Sequence, residues 1–286
     1  MGMLPNKKRK NQRLWLNITI IGGLTGVLLI ANVSNLSQLI EPVQAMAINA
    51  LPTQTTATGQ KVTFTRTFTK RYLVANATKK RLVGFQTIGS KTYYFEPKTG
   101  EMVYGLKTIA GNSYYFDENG VSNTQLAYKK TVASVDGNNK IVEKAIADGM
   151  KLVGKSPYVY GGGRTSKSIT NNEFDCSSFI AWLYRQAGQP LVVQSAASTT
   201  ILNQIGTTVA WSDMRRGDIL VTPDTYTEER LHTAIYLGNG FILHDSAPTH
   251  GVAISRLVDL VNPKTSQTLT WSGLFKPGAV RQVVDN

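Results

Sequence analysis

The string Gly84-Phe85-Gln86-Thr87-Ile88-Gly89-Ser90-Lys91-Thr92-Tyr93-Tyr94-Phe95 returns as Gly105-Leu106-Lys107-Thr108-Ile109-Ala110-Gly111-Asn112-Ser113-Tyr114-Tyr115-Phe116. Each copy then runs through an acidic residue to a glycine, Gly100 and Gly120. A period of about twenty residues, with short aromatic strands and glycine turns, predicts an array of small β-hairpins. Such a unit has too little core to stand alone, so neighbours must stack. Arg71-Tyr72-Leu73-Val74 falls in phase upstream and reads as a worn first copy. Tyr93, Tyr94, Tyr114 and Tyr115 then have two uses: packing one hairpin on the next, or facing a ligand.

The flanks of the array differ from it. The N-terminus is basic (Lys7, Lys8, Arg9, Lys10, Arg13) and leads into an apolar stretch from Leu14 to about Val33. Ala45-Met46-Ala47 then fits the small-x-small site of a signal peptidase. Residues 1–47 read as a signal peptide, with an uncleaved membrane anchor as the alternative. Both place the remainder outside the cytoplasm. Residues 48–62, rich in Thr, Ala and Gln, read as a linker, 63–125 as the hairpin array and 126–141 as a second linker. The net charge is +13, and the basic residues and Glu41 of the signal segment account for four of those charges, leaving +9. A basic exported chain suits an anionic partner. No nucleic-acid motif is present in the sequence, and export argues against that partner.

From Val142 the texture changes to that of a mixed helix-and-strand domain, 142–286. Val142, Ala145, Ile146, Met150 and Val153 predict an amphipathic helix over 142–153. A further helix is expected near Ala197–Ile205, and a strand after Arg216-Gly217-Asp218. The only cysteine, Cys176, lies in Asn171-Asn172-Glu173-Phe174-Asp175-Cys176-Ser177-Ser178-Phe179. An exported protein ordinarily uses cysteines in pairs. A lone one is either an inert core residue or a reactive thiol. Asp175 can cap a helix running from Cys176 to Gln186, stopped by Gly188. In that first turn the unpaired amides and the macrodipole favour a thiolate.

A cysteine nucleophile needs a base, and the base an orienting partner. All three histidines, His232, His244 and His250, lie downstream. His232-Thr233-Ala234-Ile235-Tyr236-Leu237 and Phe241-Ile242-Leu243-His244-Asp245 read as a hairpin about Gly238-Asn239-Gly240. Strand alternation makes turn length decisive. A two-residue Asn239-Gly240 turn pairs Ile235 with His244 and puts His232 and His244 on opposite faces. A three-residue turn centred on Asn239 pairs Ala234 with His244 and puts both on one face. A working histidine pair therefore requires the odd length. His250, in a loop, is given no role, and no ligand spacing for a metal or other cofactor accompanies the pair.

The order Tyr-x-Tyr-Gly-Gly, Phe-Asp-Cys-Ser-Ser, Arg-Gly-Asp-Ile, His-Thr-Ala-Ile-Tyr-Leu-Gly-Asn-Gly, then His resembles the NlpC-type cell-wall endopeptidases, papain-like cysteine peptidases of bacterial peptidoglycan. The repeats resemble the cell-wall- and glucan-binding repeats of Gram-positive surface proteins. The first resemblance implies an α+β papain-like domain, with a cysteine-bearing helix packed on an antiparallel sheet. It implies Cys176 as nucleophile, His232 as base and His244 as third polar residue. Tyr158 would lie near the oxyanion, and Asp175 and Ser177 where the family contacts the stem peptide. Ser178 departs from the family's usual glycine, Arg216 from a common proline, and Arg164–Asn172 is longer than usual. The expected activity is cleavage of the D-γ-glutamyl-diamino acid bond in a secreted, wall-associated hydrolase of a Gram-positive bacterium. An N-acetylmuramoyl-L-alanine amidase, a cross-bridge peptidase and a non-catalytic adhesion protein are the alternatives. The repeat resemblance implies glycan contact through Tyr93, Tyr94, Tyr114 and Tyr115, with peptidoglycan and anionic wall polymers as partners and glucan as a further candidate. Phe85 and Leu106 stand where choline-binding members carry tryptophan. On this reading the array is a tether separable from the domain after Val142.

Overall fold

The computed structural model describes residues 19–23, 26–30, 52–132, 139–262 and 268–285. It divides into two compact units, Met1–Ala50 and Leu51–Asn286. In the first, β1 (Thr19–Gly23) and β2 (Gly26–Ile30) form an antiparallel pair. The basic residues and the Ala45-Met46-Ala47 site of the expected signal lie outside the described residues.

The second unit begins earlier than the sequence suggests. The expected linker 48–62 contributes β3 (Gln54–Thr55) and the start of β4 (Lys61–Thr67), which pairs with β5 (Lys70–Ala75). Val62 is buried, so this stretch belongs to the first hairpin's core. The two clear copies are β6 (Gly84–Ile88) with β7 (Lys91–Phe95), and β8 (Gly105–Ile109) with β9 (Asn112–Phe116). Their registers match, Gly84 opposite Phe95 and Gly105 opposite Phe116. Backbone bonds tie each copy to the one before: Met102 N–H donates to Arg71 O, and Ser122 N–H to Thr92 O. Phe95 and Phe116 fill the small cores between them.

The expected second linker is also structural. Asn123 caps α1 (Thr124–Thr131), whose Ala127 and Tyr128, with Val132, are buried in the main core of the C-terminal module. Arg216 holds the helix there by bonding Tyr128 Oη, both Glu143 carboxylate oxygens and Leu237 O. The last hairpin packs on the same module. Tyr115 lies against the main core, and the Arg256 guanidinium stands 4.0 Å over the Tyr114 ring. The last hairpin of the array therefore packs on the core of the module, and the array is not a free tether. The local sequence reads as a linker because this apolar surface is spread over only three residues in two turns.

Past α1 come α2 (Lys140–Met150), α3 (Ser166–Thr170), α4 (Cys176–Gln186) and α5 (Thr199–Leu202). The expected helix near 197–205 is thus a single α turn. β10 (Thr207–Val209), β11 (Ile219–Val221), β12 (Thr233–Gly238), β13 (Phe241–Ser246), β14 (Gly251–Arg256), α6 (Trp271–Phe275) and β15 (Ala279–Gln282) complete the chain. The strands form a six-stranded sheet of order β10-β15-β11-β12-β13-β14, antiparallel throughout. Strand alternation gives it two apolar faces. Ile219, Ile235, Leu237, Phe241 and Leu243 pack with α2 and α4, and Leu220, Ala234, Ile242 and Val280 pack with α6. This is the α+β arrangement expected, a cysteine-bearing helix on an antiparallel sheet.

Candidate active site

The helix that carries the cysteine starts where its cap dictates. Asp175 Oδ1 accepts from Ser178 N–H at 2.9 Å, and Ser178 Oγ accepts from Asp175 N–H at 3.0 Å, a reciprocal capping box. Cys176 is then the first helical residue, whose amide has no intrahelical partner. Gly163, at φ +72°, lets the preceding loop reach this end, since a Cβ there would sit 2.5 Å from Ser178 Oγ. Arg164 follows and clamps it. Its Nη1 bonds Asp175 Oδ2 at 2.5 Å, and its Nη2 bonds Ser177 Oγ at 3.2 Å and Ala197 O at 2.6 Å.

Asp175 and Ser177 are therefore buried and already bonded to one another and to Arg164. They shape and lock the helix terminus. Arg164 was legible only as the first residue of an unusually long segment; its target could not be read from spacing.

The histidine pair depends on strand parity, and the structure solves the parity by an unforeseen device. Asn239 and Gly240 form a two-residue turn with φ +48° and +76°, closing Gly238 onto Phe241. That is the tight turn expected to separate the histidines. A bulge between Tyr236 and Gly238 inserts Leu237 as an extra residue and restores the register Ile235 opposite Leu243. Ala234 thus falls opposite His244, and both histidines share the α6 face.

They are in contact. His232 Nε2 lies 2.9 Å from His244 Nδ1, and His244 Nε2 lies 2.9 Å from Ser255 Oγ. Ser255 was not foreseen. It sits opposite Ile242 on β14, so it shares the histidine face only once the β13–β14 register is known. With Ser255 Oγ as acceptor, His244 carries its proton on Nε2 and presents a bare Nδ1. His232 then carries its own on Nε2, and its Nδ1 lone pair is free to take another. This tautomer assignment follows from the hydrogen-bond network.

Cys176 lies beside this pair in the chain's fold. Its thiol is 3.9 Å from Thr199 Oγ1 and takes a bond from the amide of Thr233, the residue after His232. Burial pushes the thiol up to about 12, with the Asp175 charge adding to the rise and the bonds from Thr199 and Thr233 opposing it. Burial also pushes His232 down to about 3, against a smaller upward pull from Asp175. Trp271 and Phe275 cause that burial, with ring centroids 5.2 Å and 5.6 Å from the His232 ring. Burial and the adjacent His232 hold His244 well below the ordinary imidazole range. Burial thus favours the neutral thiol and the neutral imidazole. Desolvation opposes the thiolate that the helix terminus favours, and the Asp175 cap already meets part of the macrodipole there.

Tyr158 reaches the same place through a parallel bridge to Phe174, the residue two before the cysteine. Burial raises its phenol, and the nearby Cys176 and Asp175 charges raise it further. It lines a cleft of about 960 Å³ together with His232, Ser246, Trp271 and Leu274. Asp245 lies under the site, fully buried, with neither carboxylate oxygen bonded to any described residue. Burial and the Asp175 charge push it up to about 8.

The tyrosines of the array go elsewhere. Tyr93, Tyr94 and Tyr114 are buried in the hairpin cores, and Tyr115 is half-buried against the main core, with Lys130 over its ring. Packing occupies Tyr94, Tyr114 and Tyr115. The reason is that each Tyr-Tyr-Phe triplet must seal a core with few other apolar residues.

Residues 154–269 match the NlpC/P60 family model, and residues 82–124 match the model of the choline-binding repeat. The C-terminal module is an NlpC/P60 domain. The chain is 41% identical over 151 residues to the peptidoglycan DL-endopeptidase CwlO of Bacillus licheniformis, covering 53% of this chain and 30% of that protein. It is 31% identical over 134 residues to the probable endopeptidase YafL of Escherichia coli, covering 47% of this chain and 51% of that one. The chain thus spans from under a third to about half of these relatives' own length. Among solved structures, the peptidoglycan hydrolase RipB of Mycobacterium tuberculosis aligns with 21% identity and a TM-score of 0.37, over 51% of this chain and 66% of that one. The NlpC/P60 match includes Cys176, His232, His244 and Ser255, and stops short of Trp271.

Proposed function

We propose that this protein is an exported, wall-associated peptidoglycan endopeptidase that cleaves the D-γ-glutamyl-diamino acid bond through a Cys176 thioester. The observation that carries the reading is the Ser255–His244–His232 relay, which leaves a free Nδ1 lone pair on the histidine next to the residue bonded to the cysteine sulfur.

The neutral resting pair sets the order of events. The thiol proton passes to His232 Nδ1 as sulfur attacks the amide carbon, so charge separates only when substrate fills the cleft. The imidazolium forms against a neutral His244 that accepts from it, and Ser255 holds that histidine in the required tautomer. The oxyanion faces the unpaired Cys176 amide and the Tyr158 hydroxyl, each donor being worth about 3 kcal/mol. His232 then gives the proton to the leaving amine as the C–N bond breaks. Water, deprotonated by His232, cleaves the thioester and restores the thiol.

Mass spectrometry of purified peptidoglycan digested by the full chain tests this. The expected product carries a new amino terminus on the diamino acid. A new amino terminus on L-alanine would instead identify an amidase. Cys176→Ala should abolish either product while keeping the fold, since alanine suits a first helical turn. Residual hydrolysis by that variant would remove the cysteine from the mechanism.

A further inference from the structure

Between the first hairpin and the two clear copies lies a groove of about 390 Å³. Phe64, Tyr93 and Met102 line it as apolar surface, the two rings edge-on with centroids 5.3 Å apart. Arg66, Arg71 and Lys91 line it as cations. Arg66 and Arg71 stand directly opposite each other across β4 and β5. Like charges so placed disfavour strand pairing, and this chain carries the pair where it faces an open groove.

The neighbouring lysines make the contrast. Lys70 is held by Glu101 and Lys107 by Glu96, each at 2.6 Å. Among the described residues, Arg66 spends only its Nε on Phe68 O, at 2.7 Å, and the head groups of Arg71 and Lys91 have no carboxylate partner. The charge of Asp117 reaches Tyr93 on the same wall. Its Oδ1 is already taken by the amides of Asn119 and Val121.

An aromatic-lined groove in such repeats could in principle take a quaternary ammonium by cation–π attraction. Three cations on the same walls oppose that charge. They suit instead a ligand with an apolar or polyol face for the Phe64 and Tyr93 rings and regularly spaced anions for the guanidinium and ammonium groups. We propose that this groove binds a phosphodiester-linked polyol polymer of the cell wall, with Arg66, Arg71 and Lys91 on the phosphates. The proposal rests on the wall location inferred above and adds the ligand class of a site separate from the catalytic cleft.

The test uses the full chain carrying Cys176→Ala, so that walls are not digested, and two further forms of it: Arg71→Gln/Lys91→Gln and Arg71→Glu/Lys91→Glu. Binding is measured to purified walls, to the same walls stripped of phosphodiester polymer by acid, and to soluble poly(glycerol phosphate). Equal melting temperatures establish that all forms are folded, and the Gln form serves if the Glu form is not. The expected result is binding at least about tenfold tighter to phosphate-bearing walls than to stripped ones, the scale of two charge-assisted contacts. That preference should fall about tenfold in the Gln form and further in the Glu form. Equal binding to both walls, unchanged binding by the variants, displacement by free choline, or equal affinity for polyglutamate would each overturn it. Hydrolysis of soluble muropeptides by the chain with Cys176 intact is read separately. Its failure would remove the endopeptidase reading and leave the groove standing; its success beside failed polymer binding would remove the groove alone.

Discussion

Asp245→Asn should flatten a pH dependence of stability that the parent shows between pH 6.5 and 8. The parent carboxyl is fully buried and unbonded, and sits at about 8 against ~3.9 in an unfolded chain. Between those values the folded protein holds a proton that the unfolded chain has released. Stability therefore falls as pH rises, by about 1.4 kcal/mol per pH unit. The histidines act in the opposite sense lower down. His232, held at about 3, and His244, also depressed, lose stability as pH falls below ~6.5, where the unfolded imidazoles charge. They offset Asp245 in the acid range and are silent above it. Cys176, held at about 12, begins to cost stability only above ~8.5, where the unfolded thiol ionises. Of these groups only Asp245 titrates between 6.5 and 8, which spans about 2 kcal/mol. An amide has the shape of the protonated acid and does not titrate. Urea unfolding of the full chain and of the variant at pH 6.5, 7.2 and 8 reads the difference directly. At pH 8 the variant should be the more stable form. A parent whose unfolding free energy is constant across the interval, or a variant with the parent's slope, would refute the reasoning.

Deleting Leu237 should remove the bulge, turn His244 to the opposite face from His232, and lower hydrolysis by about a thousandfold or more with the strand content by circular dichroism kept; near-parental turnover would mean that parity is not what brings the histidines together. Arg164→Ala should strip the buried Asp175 of its cation and cost about 3 kcal/mol in urea unfolding, and a loss under about 0.5 kcal/mol would show that the clamp is not structural. Deleting residues 63–123 should lower the melting temperature of the NlpC/P60 module and its turnover of soluble muropeptides together, because the Arg256–Tyr114 stacking and the Tyr115 packing go with it. The stacking alone is worth about 1 kcal/mol, so a shift of at least about 2–4 °C is expected, and full activity of the truncated chain at an unchanged melting temperature would restore the tether.

What could be read from sequence was whatever the chain decides within a turn or two of itself. The Cys176 helix has the predicted bounds, Cys176–Gln186, because an Asp cap, an i, i+4 apolar stripe and a following glycine are all local. The two hairpin copies match for the same reason, and alternation alone showed that His232 and His244 needed an odd residue between their strands. How that residue was supplied was decided by tertiary structure. Leu237 bulges while Asn239 and Gly240 keep their preferred tight turn, since the flanking registers with β11 and β14 are held from outside the hairpin. Ser255 reaches His244, and Trp271 reaches His232, only through pairings that join residues 11 and 39 apart in the chain. The inward turn of Tyr94, Tyr114 and Tyr115, and the burial of α1, likewise depend on which surfaces meet. The same holds for charge: a helix terminus beside a cysteine favours a thiolate locally, but the desolvation that raises Cys176 and lowers His232 is summed over segments that the sequence keeps apart and the fold brings together.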